Sequence, residues 1–484
     1  MSHSNDGFGA KDAKSPVPRT QGPPSRSLET VLALSLCLVV LLGSMALVRT
    51  DRGFSSAIEE LSREPRPLAH RPDDPFREPP RLVCLLSLGG LRADRLALAD
   101  EPVHTDGLAS ADAPTGEAST SSSELGALEN AAISFHWAAA QATQPLASVK
   151  TILTGKYPSS LILEETGADL DALVNVEAQR TFLLEAFAHA KGTLAAGLAG
   201  AGYRTAGFAC GRTTSRENGF AAGFDRFDHV EGGLAAAAER ARIWLASSDP
   251  RANFVFLETQ EIACSAATDS PREAYDRACA RVDAALGTFF GSLRERGLFE
   301  EALIVVTADH GLSLGERGAR ELEGDLYLEQ LRVPLWIKFP ARWNVPARDV
   351  DGPVELVDLL PTILQACGRA IPPGLDGSSL LPLVFRGVHG RKLLVAQTRL
   401  VPGSESATRR AFVDPDHWQV IHDARTGEIL FFDLSADPAG LEPRDPRSPD
   451  APPFVRELLQ GRTAPATPES SLPAPGTSSA APVR

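Results

Sequence analysis

The chain has 484 residues, 43% of them apolar and 23% charged, enough to bury a large core; its length suggests two or three domains. Its net charge of −14, with no clustered basic run, argues against nucleic acid as a partner, because binding a polyanion requires a basic face that releases counterions. The six cysteines, Cys37, Cys84, Cys210, Cys264, Cys279 and Cys367, show no CxxC pair and no zinc-ligand spacing, which argues against a structural metal cage. Cys264 and Cys279 flank a polar stretch and are open to bridging in an oxidising compartment.

In chain order, residues 1–27 are rich in Ser, Pro and Gly and have too few apolar residues to offset the entropy of ordering, so a disordered tail is expected. Thr30 to Val48 is a run of nineteen residues without a charge, long enough as a helix to cross a bilayer core. A buried core helix would show a polar face, and this run shows none. Ser44-Met45-Ala46 has the small-x-small pattern of a cleavage site, but the long polar leader before it favours an uncleaved signal anchor. Basic residues flank the span on both sides, so charge leaves its orientation open. Residues 53–80, rich in Pro and Arg, read as a stiff extended tether.

From 81 to 390, short apolar runs alternate with helical patterns, as in a mostly parallel sheet sandwiched by helices. The expected strands are Leu82 to Leu88, Arg204 to Phe208, Phe254 to Leu257, Leu303 to Thr307 and Pro334 to Phe339. A Ser-, Ala-, Gly- and Asp-rich insertion at 101–128 interrupts this α/β domain. One helix is expected from about Arg277 to Arg296, with Val282, Leu286, Phe289 and Leu293 on one face and Gly297 ending it. Another is expected over Asp358 to Cys367, capped by Asp358 and stopped at Gly368. Residues 391–461 form a small antiparallel subdomain, with period-2 apolar runs on either side of a Thr426-Gly427 turn. Residues 462–484 are again compositionally disordered.

Several segments, in order, resemble the sulfatase family of the alkaline-phosphatase-like superfamily. They are LVCLLSLGGLRADRL from Leu82, ASVKTILTGKYPSS from Ala147, AGYRTAGFACG from Ala201 with GFAAGFDRFD from Gly219, IVVTADHGLSLGERG from Ile304, LYLEQLRVPLWIKFP from Leu326, and LVDLLPTILQACG from Leu356 with LDGSSLLPLV from Leu375. The resemblance implies an active centre at the carboxyl ends of the sheet strands, with a divalent cation, Ca²⁺ or Mg²⁺, polarising the ester oxygens. It also implies that the large domain lies outside the cytoplasm, periplasmic or at the cell surface. The later metal-ligand pair of the family is matched by Asp309 and His310, whereas Gly89 stands where the first strand would end in an Asp ligand. Such a cation takes about six or more oxygens, so one carboxylate beside an imidazole implies weak binding.

The implied nucleophile falls on Pro145 when counted back without a gap from Thr154-Gly155, and proline offers no nucleophilic atom. The basic residue expected after it falls on Val149, with Lys150 one place out of register; Thr143, reached by a two-residue slip, and Ser148 are the nearby hydroxyls. In place of a His-bearing loop after the central strand stand Glu258 and Glu261, whose carboxylates would repel sulfate or phosphate unless they rebuild a metal site with Asp309. Leu322 stands where the family has another His, and Arg92 and Asp94 are placed to form an ion pair near the expected site.

Three functions are therefore weighed. The first is a catalytically impaired sulfatase-family protein on one membrane anchor, acting by binding or scaffolding a protein or glycan partner. The second is an active metal-dependent sulfuric- or phosphoric-ester hydrolase with a rearranged site. The third is a relative of phosphoethanolamine or phosphoglycerol transferases, which normally have several spans and a Thr nucleophile.

Overall fold

A computed structural model of the chain describes residues 78–459, except 96–122, 162–191, 248, 266–270, 318–324, 389–392, 399–408, 415–416 and 424–425. The expected tails, the span over Thr30 to Val48, most of the tether, most of the insertion and Leu322 lie outside the described residues. Among the described residues, no helix is long and apolar enough to cross a membrane.

A nine-stranded sheet carries the main body. Its strands are β1 (Leu82–Leu88), β2 (Ile133–Ala139), β3 (Arg204–Ala209), β4 (Arg226–His229), β5 (Asn253–Thr259), β6 (Ala302–Thr307), β7 (Arg332–Val333), β8 (Leu335–Lys338) and β9 (Arg348–Glu355). They run in the order β4-β3-β5-β1-β6-β8-β2-β7, with β9 paired to β2. Every residue of β1 and of β6 is buried, as unbroken apolar runs predict for strands covered on both faces. β4, β3, β5, β1 and β6 are parallel to their neighbours, but β8 runs antiparallel to β6, and β2 antiparallel to β8. The sheet is therefore mixed, and the expected strand over Pro334 to Phe339 is present with reversed direction and trimmed ends.

The helices that position the site are α1 (Glu124–Glu129), α2 (Pro145–Thr154), α3 (Gly233–Leu245), α4 (Glu261–Ser265), α5 (Pro271–Glu295) and α6 (Leu359–Ala366), of which α5 and α6 were expected and are present with adjusted limits. α1 begins within the biased insertion at 101–128: Leu125 and Leu128 are buried, and the Asp283 carboxylate of α5 accepts from Leu125 N at 2.8 Å. α5 starts earlier than its periodicity suggested, buries Val282, Leu286, Phe289 and Leu293, and ends before Gly297, whose φ of 64° suits glycine. Asp358 does not cap α6 with its side chain. Its carboxylate accepts from Glu355 N at 3.0 Å and Ser378 N at 2.9 Å, tightening the 3₁₀ turn that precedes the helix.

A second sheet, β10 (Leu394–Thr398), β11 (Arg409–Asp414), β12 (Trp418–Asp423) and β13 (Ile429–Asp433), is antiparallel throughout, with β12 and β13 forming the expected hairpin. Leu394, Ala396, Ile421 and Phe432 pack on Ala139, Leu326 and Leu331 of the main body. Cys264 and Cys279 are not disulfide-bonded.

The loop after α6 is locked to α2 at close quarters. Asp376 N and Gly377 N donate to Gly155 O at 3.0 and 3.2 Å, and Asp376 accepts from Tyr157 N at 2.8 Å. A Cβ on Gly377 would lie 2.0 Å from Val357 O, a backbone atom that cannot step aside. Gly377→Ala is expected to destabilise the fold by about 1–3 kcal/mol, read as a lower urea midpoint with an unchanged m-value.

Candidate functional site

The three central strands end together. Ser87 of β1 is in register with Glu258 of β5 on one side and Thr307 of β6 on the other. Beyond β1 the chain turns through Gly89 and Gly90. Gly89 N donates to Thr259 O at 2.8 Å and Gly90 N to His310 O at 2.9 Å, so this turn is clamped between the ends of β5 and β6. Residues leaving β5 and β6 can therefore meet above the end of β1.

Glu258, placed after the expected end of its strand at Leu257, lies within the strand. β5 continues to Thr259, and Glu258 is 0% exposed. Its Oε2 accepts from Gly211 N at 2.9 Å and faces Thr214 Oγ1 at 2.6 Å; its Oε1 accepts from Gln260 Nε2 at 2.9 Å. The same Gln260 nitrogen donates to Asp309 Oδ2 at 2.8 Å, and Gln260 Oε1 lies 3.3 Å from His310 Nε2. His310 Nδ1 donates to Gly311 O at 2.6 Å. Asp309, also 0% exposed, leaves Oδ1 buried without a hydrogen-bond partner among the described residues. Burial, and then the charge of Asp309, push the Glu258 carboxyl up to about 7, and burial raises that of Asp309.

Glu261 is turned away from this group. Its carboxylate pairs with Arg281 of α5 at 2.8 Å and reaches Leu234 N near the start of α3 at 3.4 Å, so it does not join Glu258 and Asp309. Arg92 is buried and fully engaged. It forms a bidentate pair with Asp94 at 2.8 and 2.6 Å, as expected, and adds Glu316 at 2.6 Å and Leu312 O at 3.0 Å. Its backbone N–H donates to the Tyr275 hydroxyl at 2.9 Å, which ties the β1 turn to α5.

Of the four carboxylate oxygens of Glu258 and Asp309, three already accept hydrogen bonds, and among the described residues only Asp309 Oδ1 is left open to a cation. Both carboxylates present oxygens to one amide nitrogen, Gly89 supplies no ligand, and the point where a Gly89 Cβ would stand is 2.3–2.4 Å from the amide atoms of Gln260. Among the described residues, no group of three or more His, Cys, Asp or Glu side chains is placed to hold a metal. The donor set in this arrangement does not fit the cation that the family resemblance implies.

The nucleophile region lies at the start of α2. Pro145 is its first helical residue, after Gln144, which makes no side-chain cap bond. Thr143 is buried in the turn before it. Ser148 Oγ donates to Asp309 O at 2.5 Å, so its proton is committed to a backbone carbonyl and its role is to fix the end of β6 against α2. Lys150 is buried with its Nζ 4.2 Å from the Phe220 ring centroid, and burial lowers its pKa to about 7.

Gln260, which contacts Glu258, Asp309 and His310, is a site residue that motif comparison does not single out. The signal was local: Glu258 and Gln260 are two residues apart at the end of a strand, a spacing that puts both side chains on one face. Thr214 and Gly211, which complete the Glu258 cradle, lie in a loop with no sequence cue to that partner.

A family model described as Sulfatase matches residues 248–369, and one described as N-sulphoglucosamine sulphohydrolase, C-terminal, matches residues 324–445. The multifunctional alkaline phosphatase superfamily protein PehA of Trinickia caryophylli is 30% identical over 182 residues, 34% of this chain and 35% of that protein. Human arylsulfatase K is 31% identical over 178 residues, 35% of this chain and 32% of that protein. The match thus spans about a third of the length of these curated relatives. Among solved structures, one in complex with its substrate D-glucosamine-2-N,6-O-disulfate aligns with a TM-score of 0.57 and 16% identity, over 79% of this chain and 96% of that one. The phosphonate monoester hydrolase of Agrobacterium radiobacter aligns with a TM-score of 0.53 and 16% identity, over 76% and 91% of the two chains. These structural likenesses establish the fold.

The position of Lys150 gives a pH signature. The folded chain holds it at about 7, against an ordinary value of 10.5, so between these limits the unfolded chain binds the extra proton and stability rises with pH. Lys150→Met is expected to be more stable than the parent near pH 6 and to lose that advantage toward pH 10. Urea unfolding of both proteins across that range measures the difference.

Proposed function

We propose, from the premise that this chain belongs to the sulfatase family, that it is a membrane-anchored, extracytoplasmic member that binds or scaffolds a protein or glycan partner and does not hydrolyse sulfate esters. The observation that carries this reading is the start of α2. Pro145 opens the helix where the gapless family register sets the nucleophile, and the nearby Ser148 hydroxyl is spent on Asp309 O. The carboxylates of Glu258 and Asp309 at the same strand ends add to it, since they disfavour an anionic ester. The anchor rests on the uncharged run from Thr30 to Val48, which is long enough to span a bilayer core.

A second reading is favoured by one observation. Glu258 and Lys150 are both held at about 7, where a general base or acid works best at neutral pH. With Thr143 in the turn before α2 as nucleophile, the chain would be an ester hydrolase with a rearranged site. The names of its structural neighbours make sulfate esters and phosphonate monoesters the substrates to try. A transferase of the phosphoethanolamine or phosphoglycerol type is the weaker third possibility, and Pro145 weighs against it equally.

Turnover of aryl sulfate, aryl phosphate and a phosphonate monoester by the full chain in detergent decides between the first two. The binding reading predicts rates for the parent protein no higher than those of Thr143→Ala and Asp309→Ala. A parent rate at least about tenfold above both variants, equivalent to about 1.4 kcal/mol of transition-state stabilisation, would establish the hydrolase.

A further inference from the structure

Two carboxylates buried beside one another need a cation between them, donors aimed at them, or a proton on one of them. The geometry points to the second solution: we propose that the side-chain amide of Gln260 takes the place of a divalent cation at the strand ends, making this centre metal-independent by construction. This inference does not depend on the loss of hydrolysis, because a hydrolase working without metal would retain the same centre.

The amide matches the space between the two acids. A primary amide nitrogen carries two N–H bonds that diverge, and here they reach Glu258 Oε1 at 2.9 Å and Asp309 Oδ2 at 2.8 Å. Turning the amide over would aim its oxygen at two carboxylates, so the hydrogen bonds fix its orientation. The other end of the amide faces His310 Nε2 at 3.3 Å, so one neutral group spans all three side chains at the strand ends.

Gly89 is the second half of the device. The position a Gly89 Cβ would take is 2.3 Å from Gln260 Oε1 and 2.4 Å from both Cδ and Nε2. A side chain at residue 89 would require the amide to swing aside and give up its hydrogen bonds, and a ligand placed there would displace it. The glycine and the glutamine are therefore complementary, whereas a glycine alone would leave a gap. Gly211 repeats the logic on the far side of Glu258, with its Cβ position 2.5 Å from Glu258 Oε1 and its N–H donating to the same carboxylate.

The test is calorimetric titration and thermal melting of the full chain in detergent after chelation, with Ca²⁺, Mg²⁺ and Mn²⁺ as probes. The parent protein should take up no stoichiometric cation, and its Tm should not move. Gln260→Glu keeps the shape of the side chain but turns the donor into an acceptor. It should lower Tm in chelator, and Ca²⁺ or Mn²⁺ at 100-fold over Kd should raise Tm by about 3 °C. Stoichiometric cation uptake by the parent would overturn the proposal. So would a Gln260→Glu variant whose Tm ignores all three cations, or one that fails to fold with cation as well as without. Gln260→Met, which fills the space without hydrogen bonds, should also lower Tm but gain no cation response. Parent-like stability in Gln260→Met would reduce the amide to a space filler and overturn the proposal as well.

Discussion

Glu258 and Asp309 lie at the carboxyl ends of strands on either side of β1, both out of contact with water, and a carboxylate in that position is costly unless its lone pairs are met. Most of the local architecture can be understood as meeting them. The loop after β3 turns so that Gly211 N and the Thr214 hydroxyl approach Glu258. The chain leaving β5 folds Gln260 back across the end of β1, where Gly89, the residue after the strand, leaves room for it. Burial raises the Asp309 carboxyl, whose Oδ1 has no hydrogen-bond partner among the described residues.

The elements around this centre are held by interactions that leave their reactive groups occupied. Ser148 joins α2 to the end of β6 through a backbone carbonyl, and Arg92 joins the β1 turn to the loop after β6 through Glu316 and Leu312 O. Glu261 serves α3 and α5 by pairing with Arg281. Ser148 and Glu261 were candidates for chemistry on sequence grounds, and both are bound into the framework. The family fold persists around a centre whose contacts are those of a hydrogen-bonded core.

The parts of this arrangement that could be read from the sequence are those with strong local signals. The apolar runs of β1 and β6 and the period of α5 marked buried elements, and the absence of an acid at Gly89 and of a nucleophile at Pro145 followed from register alone. β2 and β9 escaped notice for physical reasons. ISFHWAA mixes burial with an exposed His136, and β9 contains Gly352 and Pro353 and pairs with β2 through a register shift between Phe135 and Trp137. The reversed direction of β8 depends on the path between β6 and β8, which local periodicity does not encode. Ending β5 two residues early had a larger effect. It set Glu258 beyond the strand and removed Gln260 from the same buried face, hiding the interaction on which the centre depends.

The central claim is that a side-chain amide, and no cation, lies between Glu258 and Asp309. The most direct measurement is a crystal structure of the chain grown in Mn²⁺, with anomalous data collected at the manganese edge. The account predicts no anomalous peak at the strand ends and a Gln260 nitrogen within hydrogen-bonding distance of both carboxylates. A peak coordinated by Asp309 and Glu258, with Gln260 displaced, would contradict it.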